Sequence, residues 1–354
     1  MWHRIGRLVI LTGLGCTPVF GSLNQATVGF EYDDNMFSSV ESRQAGWVSR
    51  LFLSTGGRIV DRSTAAVGVQ HRCGVRRYWQ RAANTNRAGD VVANHLEIRG
   101  QWWPTTRLAW DWELDAKLKN VERVPGEESY LRGGGKVGLT RFLPRGVTAT
   151  IDLREARDEA RDSLMVDLRH RELGMELGWR RSRRLTAQAG IRRHALAYDR
   201  AVVLAAQDAG GWSTGAATQE DRLWEYAIGL RYYTRLLARF RYAYHHNSSN
   251  SYGYAYTAHR IQLTLARHLW RQVDSYLFMV FQLRDYIDTL TGPTPVEYRT
   301  QNEYEQALVV LRLHRQLSEN YGLSYRYRSV RSGTVGTGQR YRQTVNSISF
   351  DMVM

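Results

Sequence analysis

Asp111, Glu113 and Asp115 stand two residues apart along the chain, as do Arg239 and Arg241 and, further on, Arg326 and Arg328. In extended backbone that spacing puts each set on one face of one strand. Rows of fixed charge attract, repel and guide ions, whereas nucleophilic catalysis needs a nucleophile beside its base. Other candidate chemistry is thin. Gly133-Gly134-Gly135-Lys136 carries Val137 where a phosphate-binding loop needs Ser or Thr, and the adjacent His245 and His246 lack Cys or acidic companions at metal-ligand spacing. Spacing along the chain sets no Ser beside a His. No enzyme activity, cofactor or metal is expected, so the charges are the residues to place.

The elements that must place them are strands. Leu108, Trp110, Trp112, Leu114, Ala116 and Leu118 alternate with Asp111, Glu113, Asp115, Lys117 and Lys119, which gives one apolar and one charged face. The same period of two runs through Val147, Ala149, Ile151 and Leu153, through Trp224, Tyr226, Ile228, Leu230 and Tyr232, and through Tyr321, Leu323, Tyr325 and Tyr327. Many such runs last ten to fourteen residues, longer than the usual strand of a soluble sandwich and long enough for a tilted strand to cross a bilayer. The pattern predicts strands over 24–33, 44–60, 65–79, 91–103, 107–119, 130–142, 147–158, 163–179, 185–198, 221–233, 236–246, 254–267, 271–286, 302–314, 319–330 and 341–354. Links after even strands are short, such as 61–64, 104–106 and 315–318. Links after odd strands are generally longer and polar, such as 80–90, 121–129, 200–220 and 331–340. The 200–220 stretch, with Gly210, Gly211 and Gly215, is the candidate plug or contact loop.

Short turns on one rim and long loops on the other imply an all-β, closed antiparallel transmembrane β-barrel. It is an up-and-down meander of about sixteen strands, with fourteen or eighteen open where 163–179 changes phase. Trp102, Trp103, Trp179, Tyr233 and Trp270 toward the short-turn rim, and Trp79, Tyr130, Tyr198, Trp224 and Tyr286 toward the other, are expected to form two interfacial girdles.

Composition excludes several alternatives. The 354 residues include 20 Tyr and 11 Trp, too much apolar payload for a disordered chain, and beyond the first 20 residues no apolar run suits a spanning helix. Formal charge is +15, and three Lys (Lys117, Lys119, Lys136) among 49 basic residues leave the rest Arg. Those Arg neither cluster nor follow a nucleic-acid-binding motif, so no nucleic-acid partner is expected. Arg4 and Arg7 precede the apolar run 8–14, and Gly21 before Ser22 offers a cleavage point. Residues 1–21 read as a signal peptide and 22–354 as the barrel. Gly13 stands where a lipobox before Cys16 wants Leu.

The first strand runs into Glu31-Tyr32-Asp33-Asp34-Asn35-Met36-Phe37. This EYDDNMF string resembles the opening of β-barrel porins of the BBP2 type, and the resemblance implies an outer-membrane barrel associated with surface-polysaccharide systems. From the residues alone, Asp33, Asp34 and Asn35 turn the chain out of strand one; three clustered oxygen donors leave a calcium site open, without the spacing of a known calcium loop.

A sixteen-strand barrel is wide enough for an aqueous channel. Phasing puts Arg50, Arg72, Arg99, Arg154, Arg192, Arg231, Arg239, Arg241, Arg260, Arg284, Arg326, Arg328 and Arg342 inward, with Glu97, Asp111, Glu113, Asp115, Asp152, Glu172, Glu176, Glu225 and Asp274. Acids gather on strands four and five and Arg on strands ten to twelve. The expectation is a porin-like channel with weak anion preference, open to small anionic solutes or polysaccharide. Equally open are mutual pairing of these charges within the wall and a non-conducting structural or adhesive barrel. Expected partners are outer-membrane lipid and the barrel-assembly machinery, which reads an alternating terminus such as Ile348, Phe350, Met352, Met354.

Overall fold

A computed structural model describes residues 23–35, 45–79, 89–122, 129–160, 166–205, 212–270, 272–287, 307–333 and 340–354. Sixteen strands run in chain order: β1 Leu23–Asp33, β2 Gly46–Arg62, β3 Ala65–Tyr78, β4 Asp90–Thr105, β5 Leu108–Glu122, β6 Tyr130–Phe142, β7 Val147–Ala160, β8 Leu168–Arg180, β9 Leu185–Ala205, β10 Trp212–Tyr233, β11 Leu236–Ser249, β12 Tyr256–His268, β13 Val273–Tyr286, β14 Ala307–Gln316, β15 Tyr321–Gly333 and β16 Arg340–Val353. Each pairs antiparallel with its sequence neighbour, and β1 closes on β16 from Gln25↔Val353 to Asp33↔Val345. The barrel has no free sheet edge, so its backbone groups are satisfied without water. No described helix is long and apolar enough to cross a membrane.

Alternation decides which face is which. Leu114, Ile228 and Ile348 are 53%, 57% and 59% exposed, whereas Glu97, Asp152 and Asp351 on the opposite parity are 5%, 5% and 6% exposed. Side chains crowd on a concave surface and splay on a convex one, so the charged face is the interior and the apolar face the outside. Strands spaced about 4.8 Å and tilted about 40° close a sixteen-membered ring of radius about 16 Å. At strand level the lumen is on the order of 20 Å wide between facing side chains.

The structure revises the sequence reading in three places. The 200–220 stretch is no plug loop: β9 continues to Ala205 and β10 begins at Trp212, with Trp212↔Ala205 paired and the register shifting between Thr214 and Gln219. Val202 and Val203 are buried there, and the β11–β12 connection fastens to the hairpin. Tyr252 N–H donates to the Val203 carbonyl (2.8 Å), and Val203 N–H donates to the Ser251 hydroxyl (2.9 Å). Gly and Ala suggested a loop, but β-branched residues and these docking bonds hold the segment extended. Secondly, the expected change of phase in 163–179 is absent from its described part, which keeps one phase over β8, so the expected sixteen strands are observed and fourteen or eighteen are not. Thirdly, Arg342 pairs with Arg331 on the parity opposite to Gln343, Val345 and Ser347, so it belongs to the outer face. The signal-peptide reading of 1–21 lies outside the described residues.

Of the expected girdle, Trp79, Trp102, Trp179 and Trp270 are exposed, and Trp224 shares the outer parity of Tyr226 and Ile228. Tyr233 is exposed at the end of β10 but has the parity of inward Arg231, and Trp103 is half-buried next to the outward Trp102. Tyr130, Tyr198 and Tyr286 are inside. Each shares its strand parity with inward charges, so rim position misassigned them.

Candidate functional site

The inner wall is built from cross-strand pairs whose register follows from the short turns. In the β3–β8 sector acids and bases interleave. Arg72 reaches Glu97 at 3.0 Å, and Arg99 bridges Glu97 and Glu113, the latter at 3.2 Å. Arg154 stands 3.7 Å from Asp115, Lys136 3.7 Å from Asp152, and Arg132 3.5 Å from Asp158. Glycines make room for these carboxylates. A methyl group added at Gly138 would lie 2.7 Å from the Asp111 carboxylate, and one at Gly174 would lie 2.6 Å from that of Asp152. The acids therefore lie flat against the wall, and most already have a cation beside them.

The Arg-bearing side differs. Arg231 directly faces Arg239, and Arg312 directly faces Arg326, two like-charged cross-strand pairs. Arg241 is held by Glu225 at 2.6 Å, and Arg312 stands 3.9 Å from Asp351. Among the described residues Arg231, Arg239 and Arg326 have no carboxylate within ion-pair range. Arg260, Arg284 and Arg328 share the inward parity, and Arg284 lies over the Tyr256 ring at 4.2 Å and donates to the Tyr286 hydroxyl at 3.0 Å. All eleven residues singled out from the sequence, from Arg99 and Asp111 to Arg328, thus lie on the concave face. They stand in separate sectors around the ring.

At the long-loop end the inner tyrosines meet cations: Lys117 and Lys119 over Tyr130 at 5.1 and 5.8 Å, and Arg200 between Tyr198 and Tyr254 at 4.8 and 4.7 Å. Such contacts stiffen the rim.

The Glu31–Asn35 segment works as a seam. Glu31 pairs with Arg50 at 3.1 Å, and Tyr32 turns outward to pack on Trp47 with ring centroids 5.2 Å apart. The Asp33 carboxylate accepts from Asn35 N–H at 2.9 Å, an Asx turn, and from the Gln343 amide at 2.7 Å. Asp34 accepts from Thr344 N–H at 2.5 Å, and the Asn35 amide donates to the Arg342 carbonyl at 3.2 Å. These oxygens are engaged in binding β1 to β16, which favours the turn over the calcium reading. Met36 and Phe37 lie outside the described residues.

Two features escape the sequence reading. Gly211-Trp212-Ser213-Thr214-Gly215 has the letters of a nucleophile elbow, yet Ser213 pairs with Leu204 in continuous strand, with no strand-to-helix turn to raise it. His245 faces inward to Glu225 at 3.1 Å while His246 has the opposite parity, so the two cannot share an ion. A different His set does converge: His170, Glu172 and His194. The His-x-Glu spacing is visible on β8, but its partner on β9 appears only with the register.

No protein-family model matches the chain, and neither does any curated protein. Among solved structures it is similar to OccAB3 of Acinetobacter baumannii, at 9% identity and TM-score 0.49, covering 94% of this chain and 99% of that one. It is also similar to OccD3 of Pseudomonas aeruginosa, at 9% and 0.46 over 95% and 92%. A mutant Rhodopseudomonas blastica porin matches at 11% and 0.40 over 94% and 99%. Likenesses this distant carry nothing about what the chain does.

Proposed function

We propose that the chain is an outer-membrane, porin-like diffusion channel with a modest preference for anions. The observation that carries this reading is the closed sixteen-strand ring with an exposed apolar outer face and a charged inner one. An apolar belt running round a whole molecule is costly in water and favourable in lipid. A ring this wide is not filled by its own side chains. Selectivity follows from which charges remain uncompensated. The acids of β4–β7 mostly have cations beside them, whereas Arg231, Arg239 and Arg326 keep fields that reach into the lumen.

Export of the nascent chain under residues 1–21, insertion by the barrel-assembly machinery and contact with outer-membrane lipid belong to the same proposal. The finer reading, a part in exporting surface polysaccharide, rests on the EYDDNMF resemblance; deletion of the gene with assay of surface polysaccharide tests it. For the channel itself, purified protein in a planar bilayer is expected to give discrete conductance steps. A KCl gradient at about 0.1 M should give a zero-current potential of anion-selective sign that collapses at 1 M, where the screening length falls to about 3 Å. Inserted barrels without conductance would favour the structural or adhesive alternative, and a cation-selective sign would refute the charge assignment.

A further inference from the structure

We infer that His170, Glu172 and His194 form a binding site for a nitrogen-preferring divalent cation, Zn²⁺ or a close relative, on the inner wall. This goes beyond the channel reading and rests only on the fold. His170 and Glu172 are two apart on β8 and share the inner face, and His194 on β9 is the residue directly opposite Glu172. His170 Nε2 lies 3.0 Å from His194 Nδ1, and Glu172 Oε2 lies 3.7 Å from the same Nδ1. All three donor atoms lie within 4.8 Å of one another. Two ligands bound tetrahedrally at about 2.0–2.1 Å are about 3.3–3.4 Å apart, so the observed separations straddle what one Zn²⁺ requires.

The carboxylate is already divided between two tasks. Its Oε1 is held by Arg192 at 3.3 Å, which leaves Oε2 turned toward the imidazoles. Arg192 also stands 3.7 Å from Glu225, which is fixed by Arg241, so the anchor behind the site is itself anchored. Groups that orient a ligand this way strengthen metal sites. Two imidazoles and one carboxylate select Zn²⁺, Cu²⁺ or Ni²⁺ over Mg²⁺ and Ca²⁺, which prefer oxygen. A fourth position would open to lumen water.

Without a metal the same atoms hydrogen-bond ring to ring, and the experiment separates the two states. Chelator-stripped protein in detergent is titrated with Zn²⁺ against a chromophoric competitor, with and without millimolar Mg²⁺. One saturable site per chain, indifferent to Mg²⁺, is expected. H194A and H170A should each weaken it at least about tenfold, and H246A, on the opposite parity, should leave it unchanged. Absence of saturable binding, or binding that survives both H170A and H194A, overturns the proposal. Should the variants not fold, Co²⁺ added to the unaltered protein decides. Intense tetrahedral visible bands support the site, and their absence refutes it.

Discussion

Reversing one charge of the Arg231/Arg239 pair is the sharpest probe of the inner wall. Both side chains are exposed to the lumen, and they face each other across the β10–β11 ladder. R239E changes the lumen charge by two units. A unit charge about 10 Å from a permeating ion contributes about 0.4 kcal/mol in water before screening. At 0.1 M salt, one screening length reduces this to about 0.15 kcal/mol. Two units therefore cost an anion about 0.3 kcal/mol and favour a cation by as much, which lowers the anion-to-cation permeability ratio about threefold. At 1 M the same distance is more than three screening lengths, and the change shrinks to about a tenth of the ratio. Zero-current potentials of wild type and R239E in matched KCl gradients at the two salt levels measure both. An unchanged ratio at 0.1 M, from inserted and conducting R239E barrels, would show that Arg239 does not meet the permeating ions. The assignment of the concave face would then fail for this sector.

Two further outcomes test the framework around that wall. D33A leaves Asn35 N–H without its acceptor and the Gln343 amide with the Asn35 carbonyl alone (3.2 Å) in a buried seam, and should cost about 1–3 kcal/mol; a urea midpoint equal to wild type would mean that the Asp33 bonds do not hold β1 to β16. L114R puts a cation mid-strand on the outer face, where Leu114 is exposed between apolar neighbours. It should lower folding stability in lipid bilayers by about 2–4 kcal/mol; indifference to the substitution would mean that this face does not meet lipid tails.

The strands were legible because a closed barrel with an apolar outer face and a charged inner one forces a period of two on every one of them. Predicted and observed bounds of β6 coincide, and those of β3, β7 and β11 differ by a few residues at one end. The sequence misled where composition and position stood in for parity. Tyr130 shares its parity with Arg132 and Lys136, Tyr198 with Arg192 and His194, and Tyr286 with Arg284. Each could have been placed inside by counting, but rim location alone suggested the girdle. The β9–β10 extension was hidden for a different reason. Its strand character depends on Ser251 and Tyr252, about fifty residues away, binding the Val203 backbone. Partners of that kind do not show in a local pattern. The same holds for the His170–Glu172–His194 trio, whose two halves meet only through the β8–β9 register.

The EYDDN segment resembles a family opening, yet every described residue in it does structural work. Glu31 sits under Arg50 and Arg76, Tyr32 packs outside on Trp47, and Asp33, Asp34 and Asn35 join β1 to the Gln343–Thr344 stretch of β16. Closing a meander brings together the most distant parts of the chain, so the seam carries the largest loop-closure entropy of any strand pair and needs the densest specific bonding. A motif explained by that need marks how the barrel is shut and assembled. Its carboxylates are occupied by their neighbours, so the local geometry adds nothing to the polysaccharide proposal, which rests on the resemblance alone. Under the proposed channel reading, information about a solute has to come from charges left over after wall pairing; among the described residues Arg231, Arg239 and Arg326 are such cations, and Asp111 and Glu176 are inward acids without a cation in ion-pair range. A substitution in the seam should therefore move stability while leaving ion selectivity alone, and R239E should do the reverse.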